Sequence, residues 1–554
     1  MSLFFKYLTG VAGNVPRVFG YRNTIRMSTS LAPPNAPPVP IQPQPSQTSR
    51  LARNILSNWT CYVFSMAVNF FVAPFVVRHL GNERYGVWTI VLSLTGYLGL
   101  LDLGVRGAVT RYTARYHAQG NHSRTNETAS AAMATFLLTS LLALLVSAVL
   151  AIFVVQRLKM PSANIFPARV VLLITGVNIC VSLVNGVYGG ILVGLQRFDL
   201  TNGIEVVNSA LRALTIVAAL HSGRGIITLA VIQLLFTVTR FFANYRLAHS
   251  YYPELRVRPL EADRVNLKSV FSFSFFTFLM QVSASLIYAS DNVVIGAYLP
   301  VASVTFYAIG GNLVEYARAV VSGISQAISP LASSLQARND VAGLQRLVLR
   351  SSQLGTMVGA PIALTFILRG SHFIGLWMGP QYAAISGRVL AVLAGTMLFT
   401  GGNSPTGGIM LGLGKHKPIV PALLIEGTCN LTLSIMLLKR MDVLGVAVGT
   451  LIPSLTTSLL FWPWYVRRTM NISPRTYITN AWLRPALALI PFALASYITD
   501  RFWQAPNLLV FFSQIALCLS FALAGYWTFC INAEQRGEIA QKVSHYFTLA
   551  ASRG

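Results

Sequence analysis

Acidic and basic residues stand at helical spacing inside long apolar segments of this 554-residue chain. Glu315 and Arg318 lie three residues apart near the middle of one segment, so a helix would bring them into contact. Glu205 and Arg212 lie on one face of another segment. A charge near the bilayer centre costs roughly 2.5–3.5 kcal/mol on insertion scales. These residues therefore indicate either a buried ion pair that locks helices together or a cavity that binds an anion or relays a cation.

Polar residues recur every three or four positions in several of the segments, which places each set on one helix face. The sets are Asn58, Tyr62, Ser65 and Asn69; Thr89, Ser93 and Tyr97; Ser274, Thr277, Gln281, Ser285, Tyr288 and Asn292; and Asn312, Glu315, Arg318, Ser322, Ser325 and Ser329. Facing stripes would enclose a hydrated cavity. The alternative is that Ser and Thr join helices by packing and weak hydrogen bonds, and for these two residue types the pattern favours neither interpretation.

Some carboxylates are candidates for binding a coupling proton or sodium ion. They are Asp291, Glu205 and Glu426. Arg240 is expected to extend to the inner membrane interface, and Asp102 and Arg106 to pair near the membrane surface. The five cysteines stand singly, without the CxxC or Cys/His spacing of a metal site, so no metal and no other cofactor is expected.

The elements that must position these residues are about fourteen predicted transmembrane helices. Each segment is near the ~20 residues that cross the hydrocarbon core, and helices satisfy the backbone there. The segments are 55–77, 86–108, 129–155, 168–194, 200–220 and 225–246; then 269–298, 302–331, 351–369, 386–413, 418–438 and 443–466; and finally 482–499 and 507–531. We predict an all-α polytopic membrane protein.

The segments divide into two groups of six that resemble repeats. Leu80 and Leu299 each end a first span, and each is followed eight residues later by an aromatic residue, Trp88 or Tyr307. We predict two pseudosymmetric six-helix lobes, an N-lobe and a C-lobe, followed by two C-terminal helices. The domain limits are 1–50 for a disordered proline-rich tail, 51–250 for the N-lobe, 251–268 for a basic cytoplasmic connector, 269–470 for the C-lobe, 471–532 for the last two helices and 533–554 for a polar tail.

The composition agrees with a membrane location. Only 10% of the residues are charged, against about 25% in soluble domains. The net charge of +26 does not indicate nucleic-acid binding, because the basic residues are dispersed in short loops. The predicted inner loops hold more Lys and Arg than the outer ones, which places both termini in the cytoplasm and the chain in the inner (plasma) membrane. The sequence lacks a GxxxxGK[ST] phosphate loop, so direct ATP-driven transport is not expected.

Three motifs resemble those of bacterial polysaccharide transporters and O-antigen flippases of the multidrug/oligosaccharidyl-lipid/polysaccharide exporter superfamily. They are the stretch from Phe75 to Arg115, the run Asp291–Gly296, and Glu426 with Asn430 and the run Gly445–Thr450. The resemblance covers residues 51–532. It implies two lobes whose first, second, seventh and eighth spans line a central cavity. It also implies export of a lipid-linked oligosaccharide, usually on an undecaprenyl diphosphate carrier, by rocking between inward-open and outward-open states.

The resulting hypothesis is a flippase that moves a lipid-diphosphate-linked oligosaccharide to the outer leaflet. Arg318 and Arg212 would neutralise the headgroup, with Glu315 and Asp291 orienting those arginines or coupling transport to an ion. The predicted sugar and cavity contacts are Asn312, Gln281, Tyr288, Tyr97, Asn69 and Ser93. The alternatives are a cation-coupled multidrug exporter and a membrane-embedded glycosyltransferase or polysaccharide ligase. Expected partners are the lipid-linked glycan, membrane lipids and candidate polymerase or assembly proteins; the chain is expected to be a monomer.

Overall fold

The computed structural model describes residues 47–261, 278–531 and 536, with the backbone alone for 47–56 and 327. Most of the predicted N-terminal tail, the connector from 262 onward and nearly all of the C-terminal tail lie outside the described residues. Ser274 and Thr277 of the seventh predicted span also lie outside them. Residues 47–50, which the sequence assigned to the tail, begin the first helix.

The described chain is a succession of helices. In the N-lobe they are α1 (Gln47–Leu98), α2 (Val105–Ala118), α3 (His122–Val149), α4 (Ser162–Gly194), α5 (Phe198–His221) and α6 (Ile226–Tyr251). In the C-lobe they are α7 (Phe278–Tyr288), α8 (Ser290–Tyr298), α9 (Ala302–Ala337), α10 (Val341–Trp377), α11 (Pro380–Gly412), α12 (Ile419–Thr456) and α13 (Trp462–Met470). The last helices are α14 (Pro474–Ile478), α15 (Arg484–Ala488), α16 (Ile490–Phe502) and α17 (Leu508–Phe529).

Ten helices of the described residues are long and apolar enough to cross a membrane, or eleven if α7 and α8 count as one bent span. Two of them contain a residue with non-helical backbone: Gly81 in α1 (φ 73°, ψ 168°) and Asp442 in α12 (φ 50°, ψ −138°). Gly81 lies between the first and second predicted spans, where a positive φ favours glycine. The all-α membrane fold is confirmed, and the count of fourteen spans stays a prediction.

Two spans that the sequence predicted as continuous are interrupted. The second predicted span, 86–108, gives way to a short 3-10 helix at Gly99–Asp102, and the left-handed residues Leu103 (φ 50°) and Gly104 (φ 75°) separate it from α2. The seventh is bent by 40° between α7 and α8, next to Asp291. Both interruptions lie beside polar residues, and they place free backbone and side-chain groups where a regular helix would not.

The lobes meet at the end of the molecule where α1 breaks. Thr305 donates a hydrogen bond to the Asn82 carbonyl oxygen (2.7 Å), and the Tyr382 hydroxyl donates to Asn82 Oδ1 (2.6 Å). Gly86 approaches Val301 so closely that an added Cβ would collide with the Val301 carbonyl oxygen. The two turns that the sequence aligned as repeat equivalents therefore pack against each other.

The connection between α3 and α4 reinforces this contact. The Lys159 backbone exchanges hydrogen bonds with Gly296 (3.1 Å) and Val301 (3.0 Å), and its ammonium group donates to the Tyr298 carbonyl oxygen (2.8 Å). Nearby, the Trp377 and Phe70 rings stack with centroids 4.8 Å apart. The lobes are thus joined at this end, whereas the cavities described below lie toward the opposite end.

A buried guanidinium anchors the last two long helices to the C-lobe. Arg369 is only 1% exposed on α10. Its Nε lies 3.2 Å from Asp500 Oδ1 on α16, and its Nη2 donates to Gln514 Oε1 on α17 (2.5 Å). His372 also contacts Asp500 (3.1 Å). Because an unpaired buried charge is costly, these partners hold α16 and α17 against α10.

Candidate functional site

The larger cavity is lined mostly by N-lobe helices, with α7 of the C-lobe at one side, and has a volume of about 730 Å³. It is bounded by the start of α1, the α1–α2 connection, the end of α4, the start of α5, the end of α6 and the start of α7. Among the described residues its charged lining consists of two acids and two bases. They are Asp102, Arg106, Glu205 and Arg240. Gln281, a predicted sugar contact, also lines it. We call this the N-lobe cavity.

Each base in the N-lobe cavity faces an acid. Arg240 Nη1 lies 2.5 Å from Glu205 Oε2, which joins α6 to α5. The sequence expectation that Arg240 extends to the inner interface is therefore wrong, because this carboxylate lies within its reach. Arg106 Nε lies 3.4 Å from Asp102 Oδ2, and its Nη2 also donates to the Ser182 carbonyl oxygen (3.4 Å). The cavity lining is polar but has no net charge.

Amide side chains complete the polar surface of the N-lobe cavity. Asn202 donates to Asn58 Oδ1 (2.6 Å) and to the Ser57 hydroxyl (3.0 Å), joining α5 to α1. Asn244 Nδ2 donates to Asn185 Oδ1 (2.9 Å), joining α6 to α4. Sequence reasoning missed Asn185, Asn202 and Asn244, although an amide inside an apolar helix is a signal of this kind.

A second cavity, of about 380 Å³, lies between α1, α7, α9 and α11. We call it the C-lobe cavity. Three of its lining residues were predicted from the sequence: Tyr288, Glu315 and Arg318. Arg318 Nη1 lies 3.4 Å from Glu315 Oε2, and the Arg318 guanidinium carbon lies 3.9 Å from the centre of the Tyr288 ring. Glu315 is 63% exposed and Arg318 21%, so the pair lies at the cavity wall and is not sealed inside the protein.

Asp291 lies deeper in the C-lobe, at the bend between α7 and α8. It is 3% exposed, and its Oδ2 accepts hydrogen bonds from Tyr307 and from Thr450 (3.1 Å). Its Oδ1 has no hydrogen-bond partner. Asn430 and Ser434, which contact each other at 3.4 Å, lie on the neighbouring α12.

Glu426 is a second buried carboxylate of the C-lobe. It is 8% exposed and contacts the side chains of Ser454 and Thr457. The positive charge of Arg318 acts on both Glu426 and Asp291. Of the three carboxylates Asp291, Glu315 and Glu426, only Glu315 contacts the Arg318 guanidinium, and the other two interact with it over a longer range.

Several predicted cavity residues line neither cavity. Arg212 stands two turns along α5 from Glu205, within electrostatic range of Glu205 and Arg240 but outside both linings. Asn69 is exposed on α1. Arg212 therefore does not share a cavity with Arg318, as the headgroup hypothesis expected, and Asn69 lines neither cavity.

The remaining predicted contacts join the lobes to each other. Asn292 donates to the Ser93 hydroxyl (3.0 Å), and the Tyr97 hydroxyl donates to the Ser285 carbonyl oxygen (3.3 Å). Asn312 lies 3.5 Å from the Tyr85 hydroxyl. At these positions the polar side chains join helices to each other and do not line a cavity.

A sequence model of the family described as polysaccharide biosynthesis protein matches residues 51–336, and a second model, MatE, matches residues 275–436. The chain belongs to the polysaccharide biosynthesis protein family. It is therefore a member of the polysaccharide transporters within the multidrug/oligosaccharidyl-lipid/polysaccharide exporter superfamily, as its motifs indicated.

Relatives agree with this assignment. A putative O-antigen transporter of Shigella flexneri is 21% identical over 75% of this chain and 98% of its own length. The probable flippase AglR of Haloferax volcanii is 22% identical over 81% of this chain and 90% of its own. The solved structure of lipid II flippase MurJ in an inward closed conformation shares the fold, with a TM-score of 0.66, 14% identity, and coverage of 86% of this chain and 99% of MurJ. This family member is thus a multi-pass membrane transporter and not an enzyme.

The Glu205–Arg240 pair gives a stability prediction. Replacing either residue alone (Glu205→Gln or Arg240→Gln) leaves the other charge without its partner and should destabilise the transporter by about 1–3 kcal/mol. The double variant should recover most of that loss, because neither charge then remains. The stability of the wild type, the two single variants and the double variant is compared by thermal unfolding of the purified proteins in detergent. Additive losses in the double variant would show that the two side chains do not act as a pair.

Proposed function

We propose that this transporter is a flippase that moves a lipid-diphosphate-linked oligosaccharide from the inner to the outer leaflet by alternating access. The observation that carries the proposal is the pair of polar, charge-balanced cavities inside an otherwise apolar helical protein of this family. A lipid-linked glycan needs a polar path for its sugars while its lipid tail stays in the bilayer. The names of the relatives support the same cargo class.

The arrangement of contacts supports a direction of transport. The lobes are joined around Asn82 and Lys159. Both cavities lie toward the N-terminal end of α1. With that terminus in the cytoplasm, as the distribution of Lys and Arg predicts, the cavities are oriented toward the inner leaflet, where such a cargo is made. Exchange to the outer leaflet would require the contacts at Asn82 and Lys159 to open.

The same lining disfavours the multidrug-exporter alternative. Organic cations are attracted by a surplus of negative charge in a binding site. In each cavity the described acidic and basic side chains are equal in number. No observation on these residues favours an organic cation as the cargo over a glycan.

The cargo proposal is tested at Arg318. We expect Arg318→Ala to lower flipping by about tenfold or more, since removing one member of a partly buried pair costs a few kcal/mol. The measurement is glycan display at the cell surface together with flipping of the extracted lipid-linked glycan in proteoliposomes. Arg388→Ala is the matched control, because Arg388 is exposed on α11 outside both cavities. Wild-type activity of Arg318→Ala, or an equal fall in its membrane abundance, would contradict a transport role.

We propose further that Asp291 couples transport to a proton or a sodium ion. Asp291 is 3% exposed, and its Oδ1 has no partner among the described residues. A buried carboxylate charge without a cation in contact is unfavourable in a low-dielectric interior, and a bound proton or cation removes it. Glu426 is the second candidate for the coupling group. Glu205 is a weaker candidate because Arg240 already balances its charge.

The coupling proposal is tested by Asp291→Asn, which removes the charge but keeps the shape of the side chain. The variant should fold and insert normally, while flipping in proteoliposomes should no longer respond to an imposed pH or sodium gradient. Glu426→Gln, measured in parallel, separates the two buried carboxylates. A gradient response in Asp291→Asn equal to that of the wild type would exclude Asp291 as the coupling group.

A further inference from the structure

Three glycines of the N-lobe cavity are required by neither backbone nor packing: Gly99 in the α1–α2 connection, where an added Cβ would have no atom within 4 Å, and two that lie inside helices. Gly107 on α2 and Gly189 on α4 both line the cavity, and neither has a positive φ. A Cβ at Gly107 would have no atom within 4 Å, and one at Gly189 would meet only the Asn244 amide at 3.7 Å. Neighbouring Gly190, by contrast, is held against Val109, where a Cβ would lie 3.0 Å from its side chain.

Glycine is an unfavourable residue at such positions in a helix. A glycine inside a helix is less favourable than alanine by roughly 1 kcal/mol. Where packing leaves room for a side chain, the remaining effect of glycine is to keep the adjoining space open. Gly107 and Gly189 therefore enlarge the cavity at some cost in stability.

Two of the lining amides form a buried pair. Asn244 is 2% exposed, and its Nδ2 donates to Asn185 Oδ1 (2.9 Å). Its own Oδ1 has no hydrogen-bond partner and is buried away from the open volume, so it is not accessible to a ligand.

The chemistry of the lining matches a sugar. Amide groups donate and accept hydrogen bonds at once, as sugar hydroxyls do. Two aromatic rings, Phe198 and Phe278, offer flat apolar surfaces for the C–H face of a sugar ring. The volume of about 730 Å³ lies within the range of small-ligand sites. The amides concerned are Asn58, Asn185, Asn202, Asn244 and Gln281.

The charges of the lining favour an uncharged ligand. Arg106 is paired with Asp102, and Arg240 with Glu205, so neither guanidinium is left free to neutralise a diphosphate. The remaining lone pairs of the paired carboxylates can accept hydrogen bonds from hydroxyl groups.

We propose that the N-lobe cavity is a recognition site for uncharged sugar units of the transported glycan, with Gly107 and Gly189 setting the size of sugar that fits. The inference rests on the proposed flippase function and adds to it a subsite and a ligand class. The diphosphate of the carrier is bound elsewhere than in this cavity.

The test uses the full-length protein in lipid nanodiscs and two probes. One is the neutral oligosaccharide fraction released by mild acid from the lipid-linked glycans of the source cells, and the other is inorganic pyrophosphate. The oligosaccharides should bind to the wild type, and Gly107→Leu should weaken that binding by about tenfold or more because it fills the cavity. Gly189→Ala should have a smaller effect. Gly203→Leu is the matched control, since Gly203 has no atom within 4 Å of an added Cβ and lies outside the lining.

Several results would overturn the inference. They are absence of oligosaccharide binding to the wild type, equal binding by Gly107→Leu, and displacement of the oligosaccharide by pyrophosphate. The flipping assay separates this inference from the proposed function. A wild type that flips the lipid-linked glycan together with a fully active Gly107→Leu would contradict the sugar site alone, whereas a wild type that does not flip it would contradict the flippase function itself.

Discussion

The structure depends on how a membrane protein keeps charged side chains within its apolar spans. A lone charge in lipid is unfavourable by several kcal/mol, and here the relevant arginines have carboxylate partners. Arg240 has Glu205, Arg318 has Glu315, and the fully buried Arg369 has Asp500. These pairs fall into two kinds, because the first two line cavities whereas the third lies outside both cavity linings.

The two kinds of pair have different consequences. The Arg369–Asp500 pair holds α16 and α17 against α10. The pairs at the cavity walls hold neighbouring helices together and still present donors and acceptors to an open volume. A wall of compensated charges can accept a polar cargo without attracting strongly any single ion, which suits a glycan that must be released on the other side.

Much of the architecture could be predicted from the sequence because lipid restricts it so strongly. The helical spans, the pairing of Glu315 with Arg318 and the matching turns near Leu80 and Leu299 all follow from apolar length and spacing. The spacing along one helix cannot report which residue of another helix lies opposite. For that reason the sequence placed Glu205 and Arg212 on one helix face but could not show that Arg240 on α6 is the partner of Glu205.

Other features depend on three-dimensional packing, which the periodicity of residues along the sequence does not report. The amides of the N-lobe cavity are contributed by separate helices, and each alone is indistinguishable from a polar residue that joins two helices. The same ambiguity made Ser93 and Tyr97 seem to be cavity residues, whereas they bond across the lobes. The breaks at Gly99–Gly104 and at Asp291 were missed because the hydropathy of those segments remains high throughout.

The central claim is that water reaches the polar side chains of the N-lobe cavity. The most direct measurement is labelling of single cysteines by a membrane-impermeant maleimide, in a variant from which the five native cysteines have been removed. Asn202→Cys faces the cavity, and Leu214→Cys, on the same helix, replaces a side chain that is 66% exposed on the apolar surface. The account predicts that Asn202→Cys is labelled and Leu214→Cys is not. Failure of Asn202→Cys to react would show that the cavity is closed to water and would contradict the account.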